Sequence, residues 1–91
     1  MTYTATFSNG KTITRNSERT YTFAWAVLEK DGSTYDAGFS ADRTKAEKAA
    51  MASISYTTRV FVSPASPRYK MLKKQKAERR AELKTEIVEL I

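Results

Sequence analysis

Eight basic side chains lie within the seventeen residues from Arg68 to Lys84. Only Glu78 and Glu82 oppose them there, so this segment has a net charge of +6, which equals the excess of the whole chain. Guanidinium and ammonium groups at this density favour partners that carry phosphate. The residues predicted to contact phosphate or an acidic protein surface are Arg68, Lys70, Lys73, Lys74, Lys76, Arg79 and Arg80.

Conventional catalytic chemistry is disfavoured because the chain contains no histidine and no cysteine. These side chains supply most nucleophile–base pairs and zinc sites. Among the ten acidic residues, Glu78, Glu82 and Glu86 repeat every four residues, a spacing typical of a solvated helix face rather than a metal site. We therefore expect a binding protein that is not an enzyme and needs no cofactor or metal.

Residues 2–39 have the pattern of two β-hairpins. Alternating apolar residues flank Asn9-Gly10 and Asp31-Gly32, the dipeptides that favour tight turns, and Asn-Gly predicts a type I′ turn. These segments predict a four-stranded antiparallel sheet. Residues 20–29 carry apolar side chains on both faces and are the predicted central strand.

The aromatic side chains of that central strand have two possible uses. Tyr21, Phe23 and Trp25 recur at strand spacing, which is typical of a core beneath a helix and also of a platform on which nucleic-acid bases stack. The core interpretation is favoured because residues 42–55 follow as a helix with a face of small residues, mostly alanine, that suits close packing on a sheet.

The remaining segments complete an α+β fold in one domain, residues 1–91. Residues 56–62 have the composition of a possible fifth strand, and two prolines make residues 63–67 a linker. Residues 68–91 are predicted to form one long helix. Its first half is expected to be solvated or bound to an anion, whereas the apolar residues from Leu83 onward dock on the sheet or on another chain.

Localisation is predicted to be cytoplasmic. The chain has no cysteine, its first residues lack a secretory pattern, and no stretch approaches the ~18 apolar residues of a membrane span. A helix lying on a membrane surface is disfavoured because residues 73–80 lack an apolar stripe opposite their charges. We expect neither a membrane nor a small-molecule substrate as a partner.

The stretch from Gly38 to Ile54, GFSADRTKAEKAAMASI, resembles the end of a double-stranded-RNA-binding domain. In that family a basic cluster at the start of the last helix contacts phosphates across a groove. The resemblance implies that Arg43, Lys45 and Lys48 serve this purpose here.

A second resemblance is to small phage-encoded anti-CRISPR proteins that inhibit type I-F surveillance complexes. It rests on the stretch TYTATFSNGKTITRNSERTYTFAWAV, the later GFSADRTKAEKAA and the small size of the chain. It implies a stoichiometric inhibitor that contacts the Cas protein subunits and guide RNA and prevents target DNA from binding or hybridising. The alternative is a small basic RNA- or DNA-binding module of phage or mobile-element origin.

Overall fold

The computed structural model describes residues 1–58 and 62–90. Over these residues the chain forms two helices and two antiparallel sheets, which confirms the predicted α+β class. The strands are β1 (Thr2–Thr6), β2 (Thr12–Asn16), β3 (Phe23–Leu28), β4 (Thr34–Ser40) and β5 (Lys84–Glu89). The helices are α1 (Arg43–Thr57) and α2 (Tyr69–Glu82).

Both predicted hairpins form, with β1 antiparallel to β2 and β3 antiparallel to β4. Neither turn is of type I′, the type predicted for Asn9-Gly10, because in each turn only the glycine has a positive φ, 85° at Gly10 and 88° at Gly32. The amide of Gly10 donates to the Phe7 carbonyl at 2.9 Å, and that of Gly32 donates to the Glu29 carbonyl at 3.0 Å. Each hairpin therefore has a longer loop that ends in a left-handed glycine.

The polar residue before each glycine explains why a second positive φ is not needed. The Asn9 side-chain oxygen accepts the Lys11 backbone N–H at 3.0 Å, and the Asp31 carboxylate accepts that of Ser33 at 2.9 Å. Short polar side chains that bond to backbone two residues ahead stabilise a turn without adopting the left-handed conformation themselves.

The prediction that the four strands share one sheet is wrong. Hairpin β1–β2 is a two-stranded sheet of its own, and the second sheet has three strands in the order β4-β3-β5. Strand β3 thus has a neighbour on each edge, as a central strand must, but its second neighbour comes from the end of the chain. Trp25 lies opposite Ile87, and Ala24 lies opposite Val88.

The predicted helix over residues 68–91 is also wrong beyond Glu82, where α2 ends. The residues that follow include β-branched Thr85, Ile87 and Val88, which lose side-chain freedom in a helix and fit a pleated strand well. Pairing with β3 then satisfies backbone groups that a helix would have bonded internally.

The possible strand over residues 56–62 does not form where it can be checked. Tyr56 and Thr57 are the last residues of α1, and Thr58 caps its end through N–H bonds to Ile54 and Tyr56 carbonyls. Residues 59–61 of that predicted strand lie outside the described residues. The linker over residues 63–67 contains a turn, in which the Ser66 amide donates to the Ser63 carbonyl at 2.9 Å.

Strand β3 is covered on both faces, as predicted. On one face Val27 packs with Ala50 and Ile54 of α1 and with Leu83, so the small-residue face of α1 does lie against the sheet. On the other face Ala24 and Ala26 pack against the β1–β2 hairpin. The order of layers is therefore helix, three-stranded sheet, two-stranded sheet.

Two residues at the tip of the first hairpin attach it to the other sheet. Ser8 donates through its backbone N–H to the Glu86 carboxylate at 2.8 Å and through its hydroxyl to the other carboxylate oxygen. The Asn9 side-chain amide donates to the Gly32 carbonyl and to the Thr34 hydroxyl, both at 2.8 Å. Glu86 is consequently a contact between sheets and not part of a solvated helix face.

No helix within residues 1–58 and 62–90 is both long and apolar enough to cross a membrane.

Amide hydrogen exchange tests the strand assignment of residues 84–89. Because β5 is an edge strand bonded to β3 on one side, we expect slow exchange at alternate amides only. Uniform slow exchange along these residues, with helical amide-to-amide contacts in NMR spectra, would contradict the strand.

The substitution Gly38→Ala tests the packing of Trp25. A Cβ at position 38 would lie 2.9 Å from three atoms of the indole ring, so the ring must move. We expect the free energy of unfolding to fall by about 1–3 kcal/mol, as in other overpacked sites. Denaturant unfolding followed by Trp25 fluorescence measures it. The cost should shrink in a Trp25→Leu background, and an equal cost there would show that the clash is not with the ring.

Candidate nucleic-acid interface

Helix α2 separates its charges by side. With 3.6 residues per turn, Lys73, Lys76 and Arg80 fall along one stripe, and Lys70 and Lys74 along the adjoining one. Glu78 and Glu82 repeat every four residues on the remaining side. The cations therefore form one continuous surface, which we call the α2 basic face: Lys70, Lys73, Lys74, Lys76 and Arg80, with Arg68 at the start of the helix.

This face is available to a partner. No residue of α2 is buried, and apart from the partly exposed Lys76 the members of the face are exposed. Within residues 1–58 and 62–90, no member lies within 4.0 Å of a carboxylate, since the ion pairs there involve only Arg43 and Arg79. The Lys73 ammonium lies 5.3 Å from the centre of the Tyr69 ring, a cation–π distance.

Arg79 differs from the other predicted phosphate contacts because it is already paired. Its two terminal nitrogens donate to the two Glu29 carboxylate oxygens at 2.6 and 2.5 Å, a bidentate ion pair between α2 and the end of β3. Glu82 adds a weaker contact at 3.6 Å. We therefore withdraw Arg79 from the predicted phosphate contacts and assign it to the attachment of α2.

The guanidinium of Arg79 also stacks on Tyr35, with its central carbon 5.6 Å from the ring centre. The Tyr35 hydroxyl accepts a hydrogen bond from the Thr57 hydroxyl at 2.7 Å. Tyr35 on β4 thus contacts the end of α1 and the end of α2 together. Glu29 and Tyr35 were missed by sequence analysis, because neither has a local pattern that reveals a partner fifty or forty-four residues away.

The pKa values of the ion pair reflect this geometry. Hydrogen bonds from Arg79, together with its charge, hold the pKa of Glu29 below its usual value, although partial desolvation opposes the shift. The same hydrogen bonds raise the pKa of Arg79. Both groups stay charged at neutral pH, and α2 is held there at its C-terminal end.

The basic cluster of α1 is not joined to the α2 basic face. Arg43 pairs with Glu47 at 3.2 Å, while Lys45 and Lys48 are exposed without a carboxylate within 4.0 Å in the described part of the chain. The cluster begins α1, next to the end of β4, whereas Tyr35 and Arg79 meet at the far end of α1. Fifteen residues of helix, about 22 Å, separate the two ends of α1.

A search of protein families, of curated proteins and of solved structures found nothing similar to this chain. The assignment of the site therefore depends on its geometry and charge.

Acid should release α2 from the body of the protein. Because the pKa of Glu29 is lower in the folded state than in the unfolded chain, the ion pair stabilises docking above the unfolded pKa of about 4.3 and is lost as pH falls through the folded value. The Tyr35 ring resonances report the release. Their chemical shifts should be constant from pH 8 to about pH 5 and should change at lower pH.

Two variants isolate the cause. Glu29→Gln should show no such acid transition at Tyr35, whereas Asp31→Asn should retain it. Asp31 is the matched control because the Ser33 hydroxyl and amide within the turn lower its own pKa. Its charge also raises the pKa of Glu29, so in Asp31→Asn the transition should be retained at a lower pH. An unchanged acid transition in Glu29→Gln would rule out the ion pair as its origin.

Proposed function

We propose that this protein is a stoichiometric inhibitor that binds a type I-F CRISPR surveillance complex and blocks its binding of, or hybridisation to, target DNA. The α2 basic face contacts phosphates displayed on that complex, either those of the guide RNA or those along the path of the DNA. The inhibitor acts by occupying a site and uses no cofactor.

The observation that carries this proposal is the α2 basic face itself. Six cations lie on and beside a helix with no buried residue, and none has a carboxylate partner in residues 1–58 and 62–90. Like charges at this spacing destabilise a helix, so an anionic partner would recover that energy. We therefore explain the destabilising repulsion within α2 by a role of the segment in binding an anion.

The dimensions of the helix suit a phosphate backbone. From Arg68 to Arg80 the cations extend over about 18 Å, at about 1.5 Å per residue. One strand of nucleic acid presents a phosphate about every 3.4 Å along the axis, so about five fall within that length. Every turn of α2 then has a phosphate within reach.

A complex of protein and nucleic acid is favoured over DNA mimicry. A net charge of +6 would repel the basic channel that a DNA mimic must occupy, whereas it suits guide RNA or an acidic protein surface. The choice of a CRISPR complex among such targets comes from the sequence resemblance to small phage inhibitors.

A second candidate is a nucleic-acid-binding module that needs no protein target. The same six unpaired cations favour it, because they suffice for binding to naked RNA or DNA. Six phosphate contacts predict that the logarithm of the affinity falls with the logarithm of salt concentration with a slope of about −4 for single strands and about −5 for B-DNA.

Charge reversal of Lys73, Lys74 and Lys76 tests the proposed function. The purified type I-F complex is incubated with the protein, and target-DNA binding is measured by gel shift. We expect the natural chain to abolish DNA binding at saturation and the triple Lys→Glu variant to need at least about tenfold more protein.

The matched control is Lys11→Glu with Lys30→Glu and Lys84→Glu. It changes the net charge equally at three exposed positions outside α2, and should inhibit like the natural chain. Equal losses in both variants would mean that only net charge matters. Unimpaired DNA binding at saturating natural protein would refute inhibition, and the salt slope on naked RNA would then decide for the second candidate.

A further inference from the structure

Two grooves meet at the end of the molecule where β3 begins, away from α2. One, of about 330 Å³, is lined by Arg19, Phe39 and Lys45, and the other, of about 310 Å³, by Met1, Tyr3 and Leu90. Both are also lined by Thr20 and Tyr21, which therefore form the wall between them. Tyr21 precedes β3, although the predicted central strand, residues 20–29, included it.

Tyr21 is held in place by other aromatic rings. Its ring centre is 5.2 Å from that of Tyr3, in an edge-to-face arrangement at 77°, and 5.8 Å from that of Phe39. The Tyr3 hydroxyl donates to the Arg19 carbonyl at 2.9 Å, which fixes the segment leading into Tyr21. A partly exposed aromatic ring with a fixed orientation is suited to stacking.

Three cations lie around this ring, one from β2, one from the segment before β3 and one from α1. Arg15 of β2 places its guanidinium carbon 5.7 Å from the centre of the Tyr21 ring, while Arg19 and Lys45 line the larger of the two grooves together with Tyr21. None of the three has a carboxylate within 4.0 Å in residues 1–58 and 62–90.

The carboxylates close to them in the chain are mostly engaged elsewhere. Asp42 caps α1 by accepting the Lys45 backbone N–H at 2.8 Å, and Glu47 pairs with Arg43. Glu18 is exposed beside Arg19 without an ion pair among the described residues. The groove thus retains cationic side chains next to an aromatic ring.

We propose that these grooves are a second nucleic-acid site, which binds one or two nucleotides of a single strand. A base stacks on Tyr21 beside Arg15, and Arg19 and Lys45 contact the flanking phosphates. An aromatic ring between cations is the arrangement that single-strand sites use, because an unpaired base can leave its stack whereas a base in a duplex cannot do so cheaply.

This site is separate from the α2 basic face. Glu29, to which Arg79 of α2 is bound, directly follows β3, whereas Tyr21 lies before it. The six residues of β3 span about 20 Å at about 3.4 Å per residue. The second site therefore does not depend on the proposed function of α2.

This site is tested alone in a variant that carries Lys73→Glu, Lys74→Glu and Lys76→Glu and so lacks most of the α2 basic face. Each probe is added to that variant in increasing concentration. The probes are hexathymidylate, hexauridylate, a twelve-base-pair duplex, thymidine monophosphate and a hexaglutamate peptide, and the readout is the ring resonances of Tyr3 and Tyr21. We expect both hexanucleotides to shift these resonances and to bind at least about tenfold tighter than the mononucleotide, because two phosphates are contacted.

Equal affinity for the duplex, the mononucleotide or hexaglutamate would overturn the proposal. The first would indicate a duplex surface, the second a site for free nucleotides and the third a site for acidic peptides. Absence of any shift with the hexanucleotides would also overturn it, whatever the inhibition assay shows for α2.

Variants assign the contacts. Arg19→Ala with Lys45→Ala should weaken hexanucleotide binding at least about tenfold, and the control Lys11→Ala with Lys30→Ala, at two exposed positions outside the grooves, should leave it unchanged. Tyr21→Phe should retain binding because stacking persists, and Tyr21→Ala should lose it. If Tyr21→Ala does not fold, the Arg19/Lys45 pair decides: undiminished binding in that variant would refute the site.

Discussion

Strand β3 must be buried on both faces and paired on both edges, and the other parts of the fold are arranged to meet that requirement. Ala24, Ala26 and Val27 are 0% exposed. Helix α1 covers one face, the β1–β2 hairpin covers the other, and β4 and β5 occupy the edges. The small side chains of β3 allow close approach from both sides, so a short chain can build three layers around one strand.

This constraint also decides the position of the basic helix. Strand β5 fills the open edge of β3, and Leu83, buried at 7% exposure, joins it directly to α2. The only long-range ion pair of α2 among the described residues is Arg79–Glu29, one turn before that junction. Helix α2 is therefore attached at its C-terminal end by the sheet, while its remaining cations need not take part in the core.

The two cationic surfaces arise in different ways. On α2 the cations are close in sequence, and helical geometry alone places them on one face, whatever the helix packs against. Around Tyr21 they come from β2, from the segment before β3 and from α1. In the proposed function the first surface holds phosphates on a ribonucleoprotein. The second surface, as a site proposed independently of that function, would contact an unpaired base.

The sequence by itself determined the elements whose signals are local. The glycines at positions 10 and 32 marked both hairpins, the alanines at positions 46 and 50 marked the face of α1 that packs on the sheet, and the run of lysines and arginines marked α2. Each signal lies within one turn or one period of its own element, so no distant partner is needed to interpret it.

Only the tertiary structure decided which elements pair. Residues 84–89 became a strand because β3 had a free edge, although they continue a segment of helical composition. Arg79 was removed from the phosphate-binding set by Glu29, fifty residues earlier, and Arg15, Arg19 and Lys45 were brought to one ring. The physical reason is that hydrogen-bond partners, ion pairs and shared grooves depend on contacts between distant residues, and such contacts leave no periodic trace in the sequence around either partner.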